Sequence, residues 1–174
     1  MQLFKIIKKF FKFNGNFIPN GNEKTDKNMV LKELVKQGEK EISRHNFNEA
    51  LKLFEQAITI DPNYDCSYGD KALVLDKIGK FNESLEMYSK ALNLNPKNSI
   101  TWHNKGLTFV NLKKIDEAIN CFDNAISFDE SYSKAWYNKG RCYELLGNSE
   151  KAQFCLNAAK KLDPFLFTKI KLNS

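Results

Sequence analysis

Apolar residues recur at spacings of three and four along residues 31–166, which is the period of helices that bury one face. In the first unit this pattern covers residues 31–44 and 48–60, and the polar pair His45-Asn46 separates the two blocks. Polar pairs stand at the same place in the later units: Gly79-Lys80, Lys113-Lys114 and Gly147-Asn148. The pattern predicts an all-α protein built from helix–turn–helix units.

The unit repeats with a fixed period. Trp102 and Trp136 are 34 residues apart, and other residue types return at the same interval. A column of small residues contains Gly38, Ala72, Gly106 and Gly140. Two further small columns contain Ala50, Ser84, Ala118 and Ala152, and then Ala57, Ala91, Ala125 and Ala159. A bulky column contains Phe54, Tyr88, Phe122 and Leu156, and a proline column contains Pro62, Pro96 and Pro164, with Glu130 in the third unit.

Each column has a physical explanation. Small residues let the two helices of a unit approach closely, and the bulky column fills the space that remains. Asn48, Asn82 and Asp116 are predicted to cap the second helices, because their side chains accept bonds from free amides. Proline ends the second helix, since it has no amide and restricts the residue before it. One helix pair cannot bury its apolar face alone, so the units are expected to stack and share a core.

These columns resemble the tetratricopeptide repeat, most completely in Trp136, Lys139-Gly140, Tyr143, Ala152, Ala159 and Pro164. The resemblance implies an α-solenoid of antiparallel helix pairs that winds as a right-handed superhelix. Four repeats are predicted at residues 31–64, 65–98, 99–132 and 133–166, followed by a tail at 167–174. The first copy departs from the pattern, with Leu34 where an aromatic residue is usual and Glu41 where the last copy has Tyr143.

The resemblance also implies a concave surface, lined by the first helix of each copy, that receives an extended peptide or a helix of a partner. The candidate binding residues there are Lys36, Asp70, His103, Asn104, Lys134, Tyr137, Asn138 and Arg141. Asn104, Lys134, Asn138 and Arg141 together could hold a carboxylate-bearing segment through charge-assisted hydrogen bonds. The alternative for this set is a solvated helix face with no dedicated ligand. The pattern by which one subgroup of the family grips chaperone tails does not fit, because Gly69, Leu73 and Asn138 replace three of its residues.

The chain carries no readable catalytic motif. There is no Ser/His/Asp or Cys/His arrangement and no glycine-rich phosphate loop. Cys66, Cys121, Cys142 and Cys155 lack the spacing of zinc ligands, so no metal or cofactor is expected. Reduced, mostly buried cysteines indicate a cytoplasmic protein. A rival interpretation is that these repeats belong to an enzyme whose catalytic part lies elsewhere.

Charge changes this picture at the amino-terminal end. The formal net charge is +6, and residues 1–30 hold six lysines against two acidic residues. On a helical wheel, residues 1–13 separate into a basic and an apolar face. The basic face contains Lys5, Lys8, Lys9 and Lys12, and the apolar face includes Phe4, Ile7, Phe10 and Phe11. Residues 14–30 are predicted to be a polar linker.

Three interpretations of residues 1–13 stay open. The segment could lie on an anionic membrane surface, pack on the repeats (at an exposed end or in the groove), or remain disordered. Lysines interrupt its apolar runs, so it is not a secretory signal, and it is too short to span a bilayer. Because the repeats themselves are nearly balanced in charge, no nucleic acid partner is expected. Ten residues follow Pro164, barely enough for a closing helix, so self-association through an exposed apolar face is possible.

The sequence therefore predicts a non-catalytic, cytoplasmic scaffold that binds another protein or peptide in its concave groove. A membrane-tethered adaptor anchored by residues 1–13 is the alternative.

Overall fold

The computed structural model describes residues 23–166, with side chains from residue 27 onward. This part of the chain forms eight α-helices and no strand. The helices are α1 (Glu23–Ser43), α2 (Phe47–Ile60), α3 (Asp65–Lys77), α4 (Phe81–Leu94), α5 (Ser99–Asn111), α6 (Ile115–Phe128), α7 (Ser133–Leu145) and α8 (Ser149–Leu162).

The helices pack as hairpins that stack in chain order. The closest packing joins α1 to α2, α3 to α4, α5 to α6 and α7 to α8, and each hairpin then contacts the next. Successive first helices (α1, α3, α5 and α7) also contact one another more than successive second helices do. The first helices therefore line the inner, concave face of the stack, and the predicted all-α solenoid is confirmed.

Each hairpin turns through one residue in the left-handed region. These residues are His45 (φ 61°), Gly79 (φ 78°), Lys113 (φ 59°) and Gly147 (φ 73°). In each turn the next amide bonds back five residues, as in Lys80 N to Leu75 O at 2.9 Å. The four polar pairs of the sequence thus mark the turns correctly.

The predicted caps Asn48, Asn82 and Asp116 are wrong. The second helices begin at Phe47, Phe81 and Ile115, so those three residues lie inside the first turn. Because a left-handed residue reverses the chain in one step, the next helix starts sooner than the polar pattern indicates. Among these helices only α8 has a side-chain cap, in which Asn148 Oδ1 accepts from Lys151 N at 3.1 Å.

The small column permits close packing within the hairpins. A Cβ atom on Gly38 would lie 2.5 Å from Phe54 Cε1, and one on Gly106 would lie 2.6 Å from Phe122 Cε1. Both rings are fully buried. The small and bulky columns are therefore two sides of one contact, as the sequence predicts.

One lysine on each first helix after α1 contacts the hairpin before its own. Lys71 Nζ lies 3.0 Å from Glu55 Oε1, and Lys105 Nζ donates to Ser89 Oγ at 3.1 Å. Lys139 pairs with Asp123 in the same way. Each lysine reaches from the seventh position of one 34-residue unit to the twenty-fifth position of the unit before it. Sequence reasoning missed this contact, although the positions of the lysines already follow the period.

The predicted linker at residues 14–30 is wrong over residues 23–30, which form the first two turns of α1. Val30, Leu31 and Leu34 are buried against α2, and Lys27 Nζ lies 3.0 Å from Asp61 Oδ2. These contacts stabilise a helix that the polar composition alone does not predict. The predicted amphipathic helix at residues 1–13, the rest of the linker and the tail at 167–174 lie outside the described residues.

At the other end of the stack, α8 differs from the second helices before it. Ile119 and Ile126 of α6 pack toward α7, whereas Gln153 and Lys160 hold the same two positions on α8. Polar residues thus stand where a following hairpin would otherwise pack. Phe154 instead exposes 67% of its surface, with its ring centroid 6.0 Å from that of Trp136.

No helix among residues 23–166 is both long enough and apolar enough to cross a membrane.

Candidate functional site

The eight predicted groove residues all lie on the first helices of the hairpins. Lys36 is on α1, Asp70 on α3, His103 and Asn104 on α5, and the remaining four residues, Lys134, Tyr137, Asn138 and Arg141, are on α7. They do not form one continuous set of exposed side chains. The structure brings some of them into a buried hydrogen-bonded cluster and leaves others facing solvent.

His103 is the centre of that cluster. Its Nε2 atom is 2.8 Å from Asn138 Nδ2, and its Nδ1 atom is 3.3 Å from both Asn104 Oδ1 and the Tyr132 hydroxyl. The histidine is 5% exposed and packs against the tilted rings of Phe122 and Tyr132. His103, which the sequence predicts to be a binding residue of the concave surface, is thus largely buried, because Tyr132 in the turn before α7 lies over it.

The hydrogen bonds define the state of this imidazole. Asn138 donates to Nε2, so Nε2 carries no proton, and the neutral ring donates from Nδ1. Burial, with a smaller contribution from the positive charge of Lys134, lowers the pKa of His103 to about 4, against the opposing effect of the hydrogen bond with Asn104. A neutral histidine with all its polar atoms bonded holds α5 against α7 and is not arranged as a catalytic base.

This cluster changes the role of the predicted carboxylate-binding set. Asn104 and Asn138 are half-buried, and one amide atom of each, Asn104 Oδ1 and Asn138 Nδ2, is already bonded to His103. Lys134 is exposed, and Arg141 forms an ion pair with Glu144 one turn further along α7. Of the four residues in the predicted carboxylate-binding set, Lys134 is therefore the one with an exposed charge and no ion pair in the described part of the chain.

A second group of charges lies where α1 and α3 meet. Asp70 is half-buried, and the negative charges of Glu39 and Asp65 lie close enough to affect it. Burial, together with repulsion from these two carboxylates, raises the pKa of Asp70 to about 7. Asp76, two turns later on α3, has a buried Oδ1 atom with no hydrogen-bond partner. This part of the concave face is therefore acidic and poorly neutralised.

The cysteines do not form a reactive centre. All four are free, and three of them are buried. Burial raises the pKa of the Cys121 and Cys142 thiols to about 11, so both are protonated at neutral pH. Cys66 is exposed on α3, and burial of its sulfur with repulsion from Asp65 and Asp70 raises its pKa as well. Within residues 23–166 no group of three His, Cys, Asp or Glu side chains is placed to hold a metal ion.

Stacked helical hairpins with an inner face formed by their first helices define a tetratricopeptide-type solenoid. The model of the family described as the Psidin N-terminal TPR repeats region matches residues 40–164, which is more than half of the chain. The chain belongs to this tetratricopeptide-repeat family. Proteins of this class are protein-interaction scaffolds and are generally non-catalytic.

Solved structures share the fold at low sequence identity. A crystal structure of MamA matches with a TM-score of 0.73 and 19% identity, over 95% of this chain and 87% of that chain. PilF of Pseudomonas aeruginosa matches with a TM-score of 0.76 and 20% identity, over 79% of this chain and 63% of PilF. No curated protein matches the sequence significantly. At these identities the structural matches establish the fold and not a partner.

Proposed function

We propose that the concave face of α1, α3, α5 and α7 binds a peptide or helix of a partner protein. The observation that supports this proposal is the division of charge along that face. Within the described part of the chain, Glu39 and Asp70 are acidic groups without ion pairs at one end, where Lys36 is an exposed cation nearby. Lys134 is a cation without an ion pair at the other end. A ligand with charges of both signs would be held in one direction, because complementary charge sets register and orientation.

The His103 cluster supports the same proposal by fixing the shape of the face. Its hydrogen bonds join α5 to α7 across the boundary between two hairpins. A surface that is rigid before binding loses less conformational entropy when a ligand arrives. Lys134 is held on this rigid part of the face, one turn before Asn138.

Site-specific photo-cross-linking tests the proposal. A photoreactive amino acid would replace Lys36 or Lys134 on the concave face, and Lys52 or Lys90 on the second helices as matched exposed controls. We expect the same protein to be captured from both concave positions and from neither control. Lys134→Glu should then weaken its binding by about tenfold, as expected for reversal of one charge at an interface. Capture from all four positions alike would refute a binding site on the concave face.

The second candidate is a membrane-surface adaptor, which the four lysines and the seven leucine, isoleucine and phenylalanine residues of 1–13 favour. Co-sedimentation with vesicles containing phosphatidylserine tests it, with the full chain compared with a chain that begins at Glu23. Truncation at this point keeps α1 and the Lys27–Asp61 ion pair. The adaptor proposal requires that only the full chain sediments and that added salt releases it.

A further inference from the structure

We propose that the acidic part of the concave face, formed by Glu39, Asp70 and Asp76, is the docking surface for the chain's own residues 1–13. The inference rests on the proposed function, because it gives the same face an occupant from within the chain. A partner would then have to displace this segment before it could bind.

The three carboxylates lack the ion pairs that some other acidic residues in the described part of the chain have. Asp61 pairs with Lys27 and Glu55 pairs with Lys71, each at 3.0 Å. Within residues 27–166, no ion pair with a lysine or arginine involves Glu39, Asp70 or Asp76, although Lys36 stands one turn before Glu39. The nearest polar contact of Asp76 is with Asn111 Nδ2, 3.5 Å from its Oδ2 atom, and its Oδ1 atom is buried without a partner.

The pKa of Asp70 shows the effect of these unpaired carboxylates. Repulsion from Glu39 and Asp65 adds to the effect of burial in raising its pKa, and no cation of the described residues offsets these effects at Asp70. A cation placed among these groups would be attracted by several of them at once. Because Asp70 is half-buried, that attraction is screened less than on an open surface.

Half-buried apolar residues also lie on the first helices. Val35 on α1, Leu73 on α3 and Leu107 on α5 are half-buried residues of the first helices. A suitable ligand therefore combines cations with an apolar face. Residues 1–13 have this composition, with Lys5, Lys8, Lys9 and Lys12 against seven leucine, isoleucine and phenylalanine residues.

The length of the chain allows the contact. Residues 14–22 separate the segment from Glu23, and nine residues can span up to ~30 Å. Glu39 lies 16 residues further along α1, or about 24 Å at the helical rise per residue. Thirteen residues would add ~20 Å if they were helical, so the chain is long enough for the segment to reach Glu39 and Asp70. Because residues 14–22 form a short connection, the effective concentration of residues 1–13 at the concave face is in the millimolar range.

Cys66 allows a direct test in the full chain, because it is the exposed cysteine among the four and lies one turn before Asp70. A short amine-to-thiol cross-linker would join it to nearby lysines, and mass spectrometry would identify them. We expect links from Lys5, Lys8, Lys9 or Lys12 to Cys66. Mixing ¹⁵N-labelled with unlabelled protein separates links within one chain from links between two chains, and the proposal requires the former.

The double variant Glu39→Gln/Asp70→Asn should lower the yield of these links by about fivefold, the effect of two partly exposed ion pairs. It removes negative charge beside Cys66 and so makes the thiol more reactive, which means that a fall in yield cannot arise from the thiol. Glu86→Gln/Glu117→Gln is the matched control, because it makes the same charge change at exposed residues of second helices. The control should leave the yield unchanged.

Vesicles containing phosphatidylserine supply a second readout. If the acidic face holds residues 1–13, Glu39→Gln/Asp70→Asn should sediment with vesicles more than the control variant does, because the segment is released. Absence of the links, links only between chains, or equal yields in the two double variants would each overturn the proposal. If one of these results occurs but a partner protein is still captured at Lys36 and Lys134, the proposed function stands without this inference. If partner capture at Lys36 and Lys134 fails as well, the concave face is rejected as a binding site.

Discussion

Replacement of Gly106 by alanine should destabilise the protein, although alanine normally favours a helix. Gly106 lies in α5, where an added Cβ would be 2.6 Å from Cε1 and 2.9 Å from Cδ1 of Phe122. The Phe122 ring is fully buried among Ala118, Ile119 and Cys142, so it has little room to move away. The added methyl group must therefore separate α5 from α6 or force the ring out of its preferred rotamer.

The magnitude follows from two opposing effects. Overpacking a core costs about 1–3 kcal/mol, while exchange of glycine for alanine inside a helix contributes about 1 kcal/mol of stability. We therefore expect Gly106→Ala to lower the free energy of unfolding by up to about 2 kcal/mol. Gly69→Ala is the matched control, because its nearest neighbour would be Thr101 Oγ1 at 3.7 Å, an ordinary contact. Gly69→Ala should raise the free energy of unfolding by about 0.5–1 kcal/mol.

Urea unfolding followed by circular dichroism measures both changes. The urea midpoint should fall for Gly106→Ala and rise for Gly69→Ala, with the dependence on urea unchanged. Addition of Phe122→Leu to Gly106→Ala should recover part of the loss, since it removes the ring edge that the methyl group meets. Midpoints that move in the same direction for the two glycine variants would refute the close-packing argument.

Three further predictions concern single residues. Lys113→Gly should raise the free energy of unfolding by about 1 kcal/mol, because Lys113 has a φ of 59°; an unchanged thermal midpoint would contradict this. Trp136→Phe should cost about 1 kcal/mol through loss of the 3.0 Å hydrogen bond from Nε1 to Glu130 O, measured in the same urea assay. The pKa of Asp70 is about 7 in the folded chain, above its ordinary value of 3.8. Between these pH values the folded chain therefore binds more protons than the unfolded chain, and the stability that protonated Asp70 contributes is lost as pH rises through 7. In a chain that begins at Glu23, and so lacks the lysines of residues 1–13, Asp70→Asn should therefore raise the urea midpoint more at about pH 8 than at about pH 5. Equal shifts would argue against a poorly neutralised carboxylate.

The fold was predictable because its information is periodic and local. The 34-residue interval, the polar pairs at the turns and the matched small and bulky columns each recur in the chain, and each corresponds to a contact within one hairpin. Gly38 against Phe54 illustrates this, since both residues belong to one unit. Errors arose at element boundaries, where Asn48 was placed before α2 and residues 23–30 outside α1.

The candidate site was predicted less completely, because its properties depend on contacts between hairpins. The sequence placed His103, Asn104 and Asn138 on first helices, but it did not show that they bond to one another or that Tyr132 covers the imidazole. Nor did the sequence indicate that Asp70 shares its surroundings with Glu39, which lies on a different helix.

The sequence by itself thus determined the repeat, the class of fold and the helices that line the concave face. A repeat of one unit encodes the contacts of that unit with itself and with an identical neighbour, so these features follow from the pattern. The tertiary structure alone decided which polar groups of the face are buried and bonded and which carry unneutralised charge. Burial and electrostatic interaction depend on distances between residues far apart in the chain, such as the 35 positions between His103 and Asn138, and no local pattern records those distances.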